Sequence, residues 1–220
     1  MRDAEVIDQL AAAPNARAAT TREAPWWITF VFFASGFAAL IYQVVWQRSL
    51  FTIFGINTEA VTVVVTVFLL GLGIGSIAGG ILSRIVRYPL LVFALSEFGI
   101  AAFGLISLDL FRSVGTSTIS QSAVATGVTT FLLLLAPTFL MGMTLPLLVS
   151  YLVSRSGNVG QSTSLLYFVN TAGSGIAALA SVTLLLPRLG EHGSVRVAVA
   201  TNFLVGAIVL ALHLRRRNDS

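Results

Sequence analysis

The sequence contains no cysteine and no lysine, and only 10% of its 220 residues are charged. Without cysteine the chain forms no disulfide and offers neither a thiolate metal ligand nor a thiol nucleophile. Soluble domains carry about 25% charged residues, whereas this chain is 56% hydrophobic with a mean hydropathy of +0.90. The composition excludes an ordinary soluble domain and predicts an all-α integral membrane protein.

Residues that could carry catalysis or hold a metal are also scarce. His192 and His213 stand alone, without partners at metal-ligand spacing. No apolar segment contains a nucleophile with a base or a pair of carboxylates, and no solvated domain carries a basic patch for nucleic acid. We expect no metal site, no cofactor, no nucleic-acid partner and no enzymatic activity. Residues that converge from different segments are the alternative that spacing alone leaves open.

Long apolar segments, by contrast, fill most of the chain. Six of them follow a polar N-terminal tail, and each is close to or above the roughly 20 residues that cross a bilayer. They lie at about 26–46, 59–82, 89–108, 124–152, 164–187 and 195–214. We expect a flexible cytoplasmic tail at 1–25, one six-helix transmembrane domain at 26–214, and a basic cytoplasmic C-terminus at 215–220.

The arginines predict the orientation of the chain, because cationic loops stay on the cytoplasmic side of a membrane. With six crossings, both termini share one side with the second and fourth loops, and that side holds most of the 13 arginines. The expected cytoplasmic anchors are Arg84, Arg87, Arg215, Arg216 and Arg217. We expect a multi-pass inner-membrane protein with both termini in the cytoplasm.

The spacing G-x-G-x-x-A occurs twice, beginning at Gly73 and at Gly173. It binds a dinucleotide only between a strand and a helix, and both copies lie inside apolar segments. Small residues also recur there every four positions, on one face of each expected helix. These two ladders are Gly71, Gly75 and Gly79 in the second segment, and Gly173, Ala177 and Ser181 in the fifth. We interpret both as helix-packing surfaces rather than cofactor sites.

The two ladders occupy equivalent positions if the domain consists of two three-helix units. Units with three crossings each are inverted relative to one another, a common plan in transporters. The fourth segment carries Pro137 and Pro146, each of which removes a backbone hydrogen bond. We expect a helix break there, either a kink tolerated among neighbouring helices or a discontinuous helix that frees carbonyl groups toward a site.

Glu97 is the acidic residue that lies well inside an apolar segment, the third. A carboxyl group there is protonated, paired or in contact with a watery cavity. We interpret it either as a proton- or cation-binding site or as a neutral group bonded to a neighbouring helix. The candidate polar site consists of Glu97 with side chains expected to face the same interior, which are Tyr42, Gln43, Gln47, Asn170 and Asn202.

Four stretches occur in a characteristic order: "SGFAALIYQVVWQRSL" (35–50), "FLLGLGIGSIAGGILSR" (68–84), "PTFLMGMTLPLL" (137–148) and "LYFVNTAGSGIAAL" (166–179). Together they resemble the membrane region of the fused major-facilitator/spermidine-synthase-like family, from Ser35 to about Leu210. The resemblance implies a half-major-facilitator-like fold. In that family the membrane region usually precedes a soluble aminopropyltransferase-like domain, which we do not expect here. Gln43 stands where the family pattern often has an acid.

Two functions are consistent with these features. The first is a small half-transporter that dimerises and carries a polyamine or another small solute, with the polyamine implied only by the resemblance. The second is a non-catalytic membrane subunit or anchor, which packs against another membrane complex or recruits a separate soluble synthase. The expected partners are therefore the lipid bilayer and either a second copy or a different chain.

Overall fold

The computed structural model describes residues 25–54, 58–118 and 123–218, and no strand occurs among them. The all-α prediction is therefore confirmed for this part of the chain. The helices are α1 (Trp26–Phe54), α2 (Thr58–Ile85), α3 (Pro89–Thr118), α4 (Ala123–Ser156), α5 (Val159–Ala180), a π-helical turn (Ser181–Leu185) and α6 (Leu186–Asn218). The expected N-terminal tail lies outside the described residues except for Pro25, as do the side chains of Arg216 and Arg217.

Five segments of the described chain are long and apolar enough to cross a membrane. They are Trp26–Thr52, Val64–Ile85, Pro89–Thr116, Gly127–Ser156 and Val159–Arg215. The last has 57 residues and contains both segments that the sequence analysis separates at 164–187 and 195–214. It is interrupted at Gly190, whose φ of 64° and ψ of −171° are not helical.

Contacts on either side of Gly190 show that the chain reverses there. Before it, Asn170 lies against Phe32 and Ser174 against Gly36, so α5 runs parallel to α1. Just after it, the carboxylate of Glu191 lies 3.4 Å from Nε of Arg48, near the end of α1.

Beyond this point α6 runs back alongside α3. Asn202 contacts Glu97 in the first half of α3, and the His213 ring packs 5.1 Å from the ring of Tyr88, just before α3 begins. The helix therefore reaches progressively earlier parts of α3 and is antiparallel to it.

The small residues of α2 bring this helix into close contact with α4. A Cβ added to Gly79 would lie 2.7 Å from the carbonyl oxygen of Met143, and one added to Gly71 or Gly75 would overlap Thr138 or the Phe139 carbonyl. The absence of side chains therefore permits the close packing of α2 and α4. By contrast, Gly73 and Gly80 face open space.

The second ladder packs in the same way, against α1. A Cβ on Gly173 would overlap the Phe33 carbonyl oxygen. Ala177 is buried one turn later, and Ser181 is buried in the π-helical turn. Both ladders are therefore covered within this chain.

Of the two forms of helix break predicted at Pro137 and Pro146, the discontinuous helix is wrong. α4 continues for 34 residues through both prolines, with no non-helical residue among them. Inside a packed helix, neighbouring hydrogen-bond donors and helices compensate for the amide that proline lacks. The hydroxyl of Thr138 donates to the carbonyl oxygens of Leu134 (2.7 Å) and Leu135 (3.1 Å), next to the carbonyl that Pro137 leaves without its usual partner.

Candidate functional site

Glu97 is fully buried and makes two hydrogen bonds, each to a different helix. Ser35 of α1 donates from Oγ to Oε1 over 2.6 Å, and Asn202 of α6 donates from Nδ2 to Oε2 over 2.5 Å. Within the described part of the chain, no arginine or histidine forms an ion pair with this carboxyl group. Its two oxygens are thus satisfied by neutral donors alone.

Small residues on the same face of α3 let the neighbouring helix come close to Glu97. Ala101 and Gly104 follow at the helical spacings i+4 and i+7. A Cβ on Gly104 would lie 2.6 Å from Cε1 of Tyr42, so glycine is what allows the tyrosine ring to fit between α1 and α3. Tyr42 lies two turns beyond Ser35 on α1, as Gly104 does beyond Glu97 on α3.

Two buried polar atoms on the helices around Glu97 have no hydrogen-bond partner. These are Oδ1 of Asn202 and the hydroxyl of Tyr42, and both are buried. Buried polar atoms are paired in the great majority of cases, so an unpaired one indicates a function or a missing partner. For Asn202 the missing partner would have to be a hydrogen-bond donor, because Oδ1 is an acceptor.

A cavity of about 410 Å³ lies beside the Glu97 group. Ser35 and Asn202 are part of its wall, whereas Glu97 lies behind them and does not line it. All six helices contribute to the lining, and its polar members are Ser35, Gln43, Ser76, Thr144, Tyr167, Asn170, Ser174 and Asn202. The volume is in the range of small-molecule sites, which are mostly apolar with a few placed polar groups.

The candidate residues from the sequence do not all converge. Asn202 binds Glu97, whereas Gln43 and Asn170 line the cavity. Asn170 also donates from Nδ2 to the Phe32 carbonyl over 3.3 Å, so part of its role is to join α5 to α1. Gln47 lies further along α1, is half-buried and does not line the cavity.

The predicted anchors lie at helix ends. Arg84 is exposed in the last turn of α2, and Arg87 is exposed with its guanidinium 5.4 Å from the centre of the Tyr88 ring. Arg215 is exposed near the end of α6. These positions suit the edge of an apolar layer.

Sequence reasoning did not select several serines that belong to the site. Ser35 binds Glu97, Ser174 donates to the Gly36 carbonyl oxygen over 3.1 Å, and Ser76 lines the cavity. Serine is common on packed helix faces, so its presence alone does not identify a ligand site. The one available signal was position, because Ser35 lies seven residues, or two helical turns, before the candidate residue Tyr42 on α1.

Chemically, the arrangement combines a buried carboxyl group with a mostly apolar cavity, one side chain away, that carries several polar side chains. Among the described residues no group of three or more His, Cys, Asp or Glu side chains is placed to hold a metal ion. The arrangement places a space of small-molecule size next to the residues that bond a buried ionisable group.

Comparison with known proteins found no family model, no curated protein and no solved structure that matches this chain. The resemblance to the membrane region of spermidine-synthase-like proteins therefore remains a prediction from the four stretches quoted above.

Proposed function

We propose that the chain is a small half-transporter in the inner membrane, and that the cavity among its six helices binds the transported solute. The observation that carries this proposal is the position of Glu97, fully buried and bonded to two residues of the cavity wall. Ionisable groups inside a membrane are costly and mark solute or proton pathways.

The proposed topology has six crossings, with both termini in the cytoplasm. The reversal at Gly190 supports it, because α5 parallel to α1 and α6 antiparallel to α3 divide the 57-residue segment into two crossings. The arginines near the ends of α2 and α6 then fall on one side, as the positive-inside rule requires.

The helix packing also supports two inverted three-helix repeats. In such an arrangement α1 corresponds to α4, α2 to α5 and α3 to α6. The α2–α4 contact then corresponds to the α5–α1 contact, and the α3–α4 contact corresponds to the α6–α1 contact. All four contacts are among the most extensive in the molecule, and α3–α6 maps onto itself. The two glycine ladders mediate the equivalent contacts α2–α4 and α5–α1.

A polyamine is our proposed solute, on two grounds. The four stretches that resemble the spermidine-synthase-like family suggest it, and the amide side chains of the cavity wall, Gln43 and Asn170, include acceptors that suit a ligand with N–H donors. We propose a homodimer as the working unit, since six crossings are half of a major-facilitator transporter.

Uptake into proteoliposomes tests the transport proposal. The purified chain should take up labelled spermidine, and Glu97→Gln should reduce uptake at low spermidine by about tenfold or more, because a cationic solute then loses a nearby negative charge, and tenfold corresponds to about 1.4 kcal/mol. Asp109→Asn is the matched control, since Asp109 is an exposed acid on the same helix. No uptake of any small cation by the wild-type chain, or equal uptake by Glu97→Gln, would contradict the proposal.

The alternative is a non-catalytic subunit or anchor that binds another membrane complex or a separate synthase. Both small-residue ladders are covered within the chain, so such a partner would have to use a different surface. Gentle purification from native membranes separates the two ideas. A homodimer supports the half-transporter, whereas a defined complex with a different chain supports the subunit.

A further inference from the structure

A groove lies on the outer surface of the bundle, where α3 and α6 pack together. It has a volume of about 600 Å³ and shares no lining residue with the central cavity. Each helix contributes four side chains at the spacings i, i+3, i+4 and i+7, which lie on one face of a helix. These side chains are Phe98, Ala101, Ala102 and Leu105 of α3, and Arg196, Val199, Ala200 and Phe203 of α6.

Alanines form the recess, and two aromatic rings close one end of it. Ala102 and Ala200 are exposed but project only a methyl group, so the surface between α3 and α6 is hollow there. At one end the ring centres of Phe98 and Phe203 are 5.3 Å apart. A Cβ on Gly206 would lie 2.9 Å from Cε1 of Phe98, so glycine is what lets this ring lie against α6. The groove therefore ends at these two rings.

Arg196 is the charged member of the groove and lies at its other end. It is exposed, and no acidic side chain of the described residues forms an ion pair with it. Along α6 it lies about 8 Å beyond Glu191, next to the reversal of the chain, and Phe203 lies about 10 Å further. An arginine at this depth extends its guanidinium to the level of the lipid headgroups, while its stem stays among apolar groups.

We propose that this groove binds a phospholipid, with one acyl chain against the alanines and the phosphate on Arg196. The groove leads from headgroup level toward the middle of the bilayer, and each half of the hydrocarbon layer is about 15 Å thick. Its walls are apolar except for the guanidinium, which binds phosphate oxygens through paired N–H donors. Lipid binding here is independent of the proposed transport and of its solute.

Charge favours a lipid whose headgroup is net negative. Among the described side chains at the end of the bundle where α6 begins, arginines outnumber acids by four to two. They are Arg48, Arg112, Arg188 and Arg196 against Asp109 and Glu191. Arg48 and Glu191 neutralise each other, which leaves a surplus of positive charge around the groove. We therefore expect phosphatidylglycerol to bind in preference to phosphatidylcholine, since arginines near a membrane surface attract anionic lipids.

A second copy of the chain suits the same groove poorly. In a two-fold dimer the same surface patch faces itself. Pairing through the groove would place two Arg196 side chains at one depth near the edge of the apolar layer, with no described acid paired to either. Like charges repel strongly where water is scarce. A lipid phosphate instead neutralises the arginine.

Native mass spectrometry of the purified chain, with lipid added in mild detergent, measures this binding. Arg196→Gln should weaken phosphatidylglycerol binding by about tenfold, because a hydrogen bond between charged groups is lost. It should also remove most of the preference over phosphatidylcholine. Arg188→Gln is the matched control, since Arg188 is an exposed arginine of the same end that does not line the groove. Equal phosphatidylglycerol affinity in the two variants would overturn the proposal.

Ala200→Leu tests the acyl-chain part of the proposal. Because Ala200 is exposed, the larger side chain fills the groove without entering the core, and both lipids should bind more weakly. Ala211→Leu is the control, an exposed alanine of the same helix outside the groove. Unchanged lipid binding in Ala200→Leu would overturn the proposal. If this variant instead dissociates a dimer and leaves lipid binding intact, the groove is an interface between copies and the proposal is wrong.

A photoreactive lipid locates the bound molecule and identifies the source of the phosphate. In nanodiscs, phosphatidylglycerol with a diazirine near the middle of one chain should label the peptides that contain Phe98 and Phe203, at the closed end of the groove. Excess inorganic phosphate should leave this labelling unchanged, because it lacks an acyl chain. Competition by inorganic phosphate, or labelling spread evenly over the other exposed helices, would overturn the proposal.

Discussion

At the scale of single residues, two glycines of α2 differ in whether a side chain would fit at their position. Gly79 lies against the backbone of Met143, whereas its neighbour Gly80 faces open space. The two positions are adjacent in the same helix, so they form a natural pair for comparison.

We predict that Gly79→Ala destabilises the fold and Gly80→Ala does not. An added Cβ at position 79 lies 2.7–2.8 Å from backbone atoms of α4, which cannot rotate away. Overpacking of this kind costs about 1–3 kcal/mol, whereas alanine in an open helical position gains up to about 1 kcal/mol over glycine. Thermal unfolding in mild detergent measures both. Equal stability of the two variants would contradict the prediction, because it would mean that α2 and α4 move apart at no cost in stability.

The residues of the candidate site could be selected from the sequence only in part. Glu97 is recognisable because an acid inside an apolar segment is rare. Its partners are not recognisable, since Ser35 and Asn202 lie 62 and 105 residues away along the chain. Which of several polar side chains meets the carboxyl group depends on helix rotation and packing, and apolar periodicity specifies neither for a helix that is hydrophobic all round.

At the scale of elements, the end of the chain differs most from the sequence expectation. Sequence analysis separates the last two segments at 188–194, where the structure has helix interrupted by a single non-helical residue, Gly190, and the π-helical turn at Ser181–Leu185 lies before that region. Apolar content does not distinguish a loop from a sharp turn between two helices. The same limitation explains α4, where two prolines indicate an interruption but packing keeps the helix continuous.

We predict that Gly190→Ala weakens the fold by about 1–3 kcal/mol, because its φ and ψ lie in a region that is essentially restricted to glycine. The space around the added methyl group is open, so the cost comes from the backbone alone. Gly175→Ala is the control, since this glycine is helical and also faces open space. If unfolding measurements find Gly175→Ala less stable than Gly190→Ala, the role given to Gly190 is wrong.

At the scale of the whole molecule, the absence of cysteine provides a clean background for topology mapping. Ser113 is exposed near the end of α3, Ser154 near the end of α4 and Leu214 near the end of α6. The proposed topology places Ser154 and Leu214 in the cytoplasm and Ser113 on the opposite side.

We predict that Ser113→Cys reacts with a membrane-impermeant maleimide added to intact cells. Ser154→Cys and Leu214→Cys should react only after the membrane is permeabilised. Labelling of Leu214→Cys together with Ser113→Cys would mean that the segment from Val159 to Arg215 crosses once, and that six crossings is wrong.

The order in which the polar site is completed follows from the distance between its members along the chain. During synthesis Ser35 and Glu97 leave the ribosome first, and Asn202 follows Glu97 by 105 residues. Until the last helix enters the bilayer, one oxygen of the buried carboxyl group lacks its amide donor. A nascent chain stopped after α5 would therefore hold an incomplete polar group in its interior, which a membrane quality-control protease or chaperone could recognise.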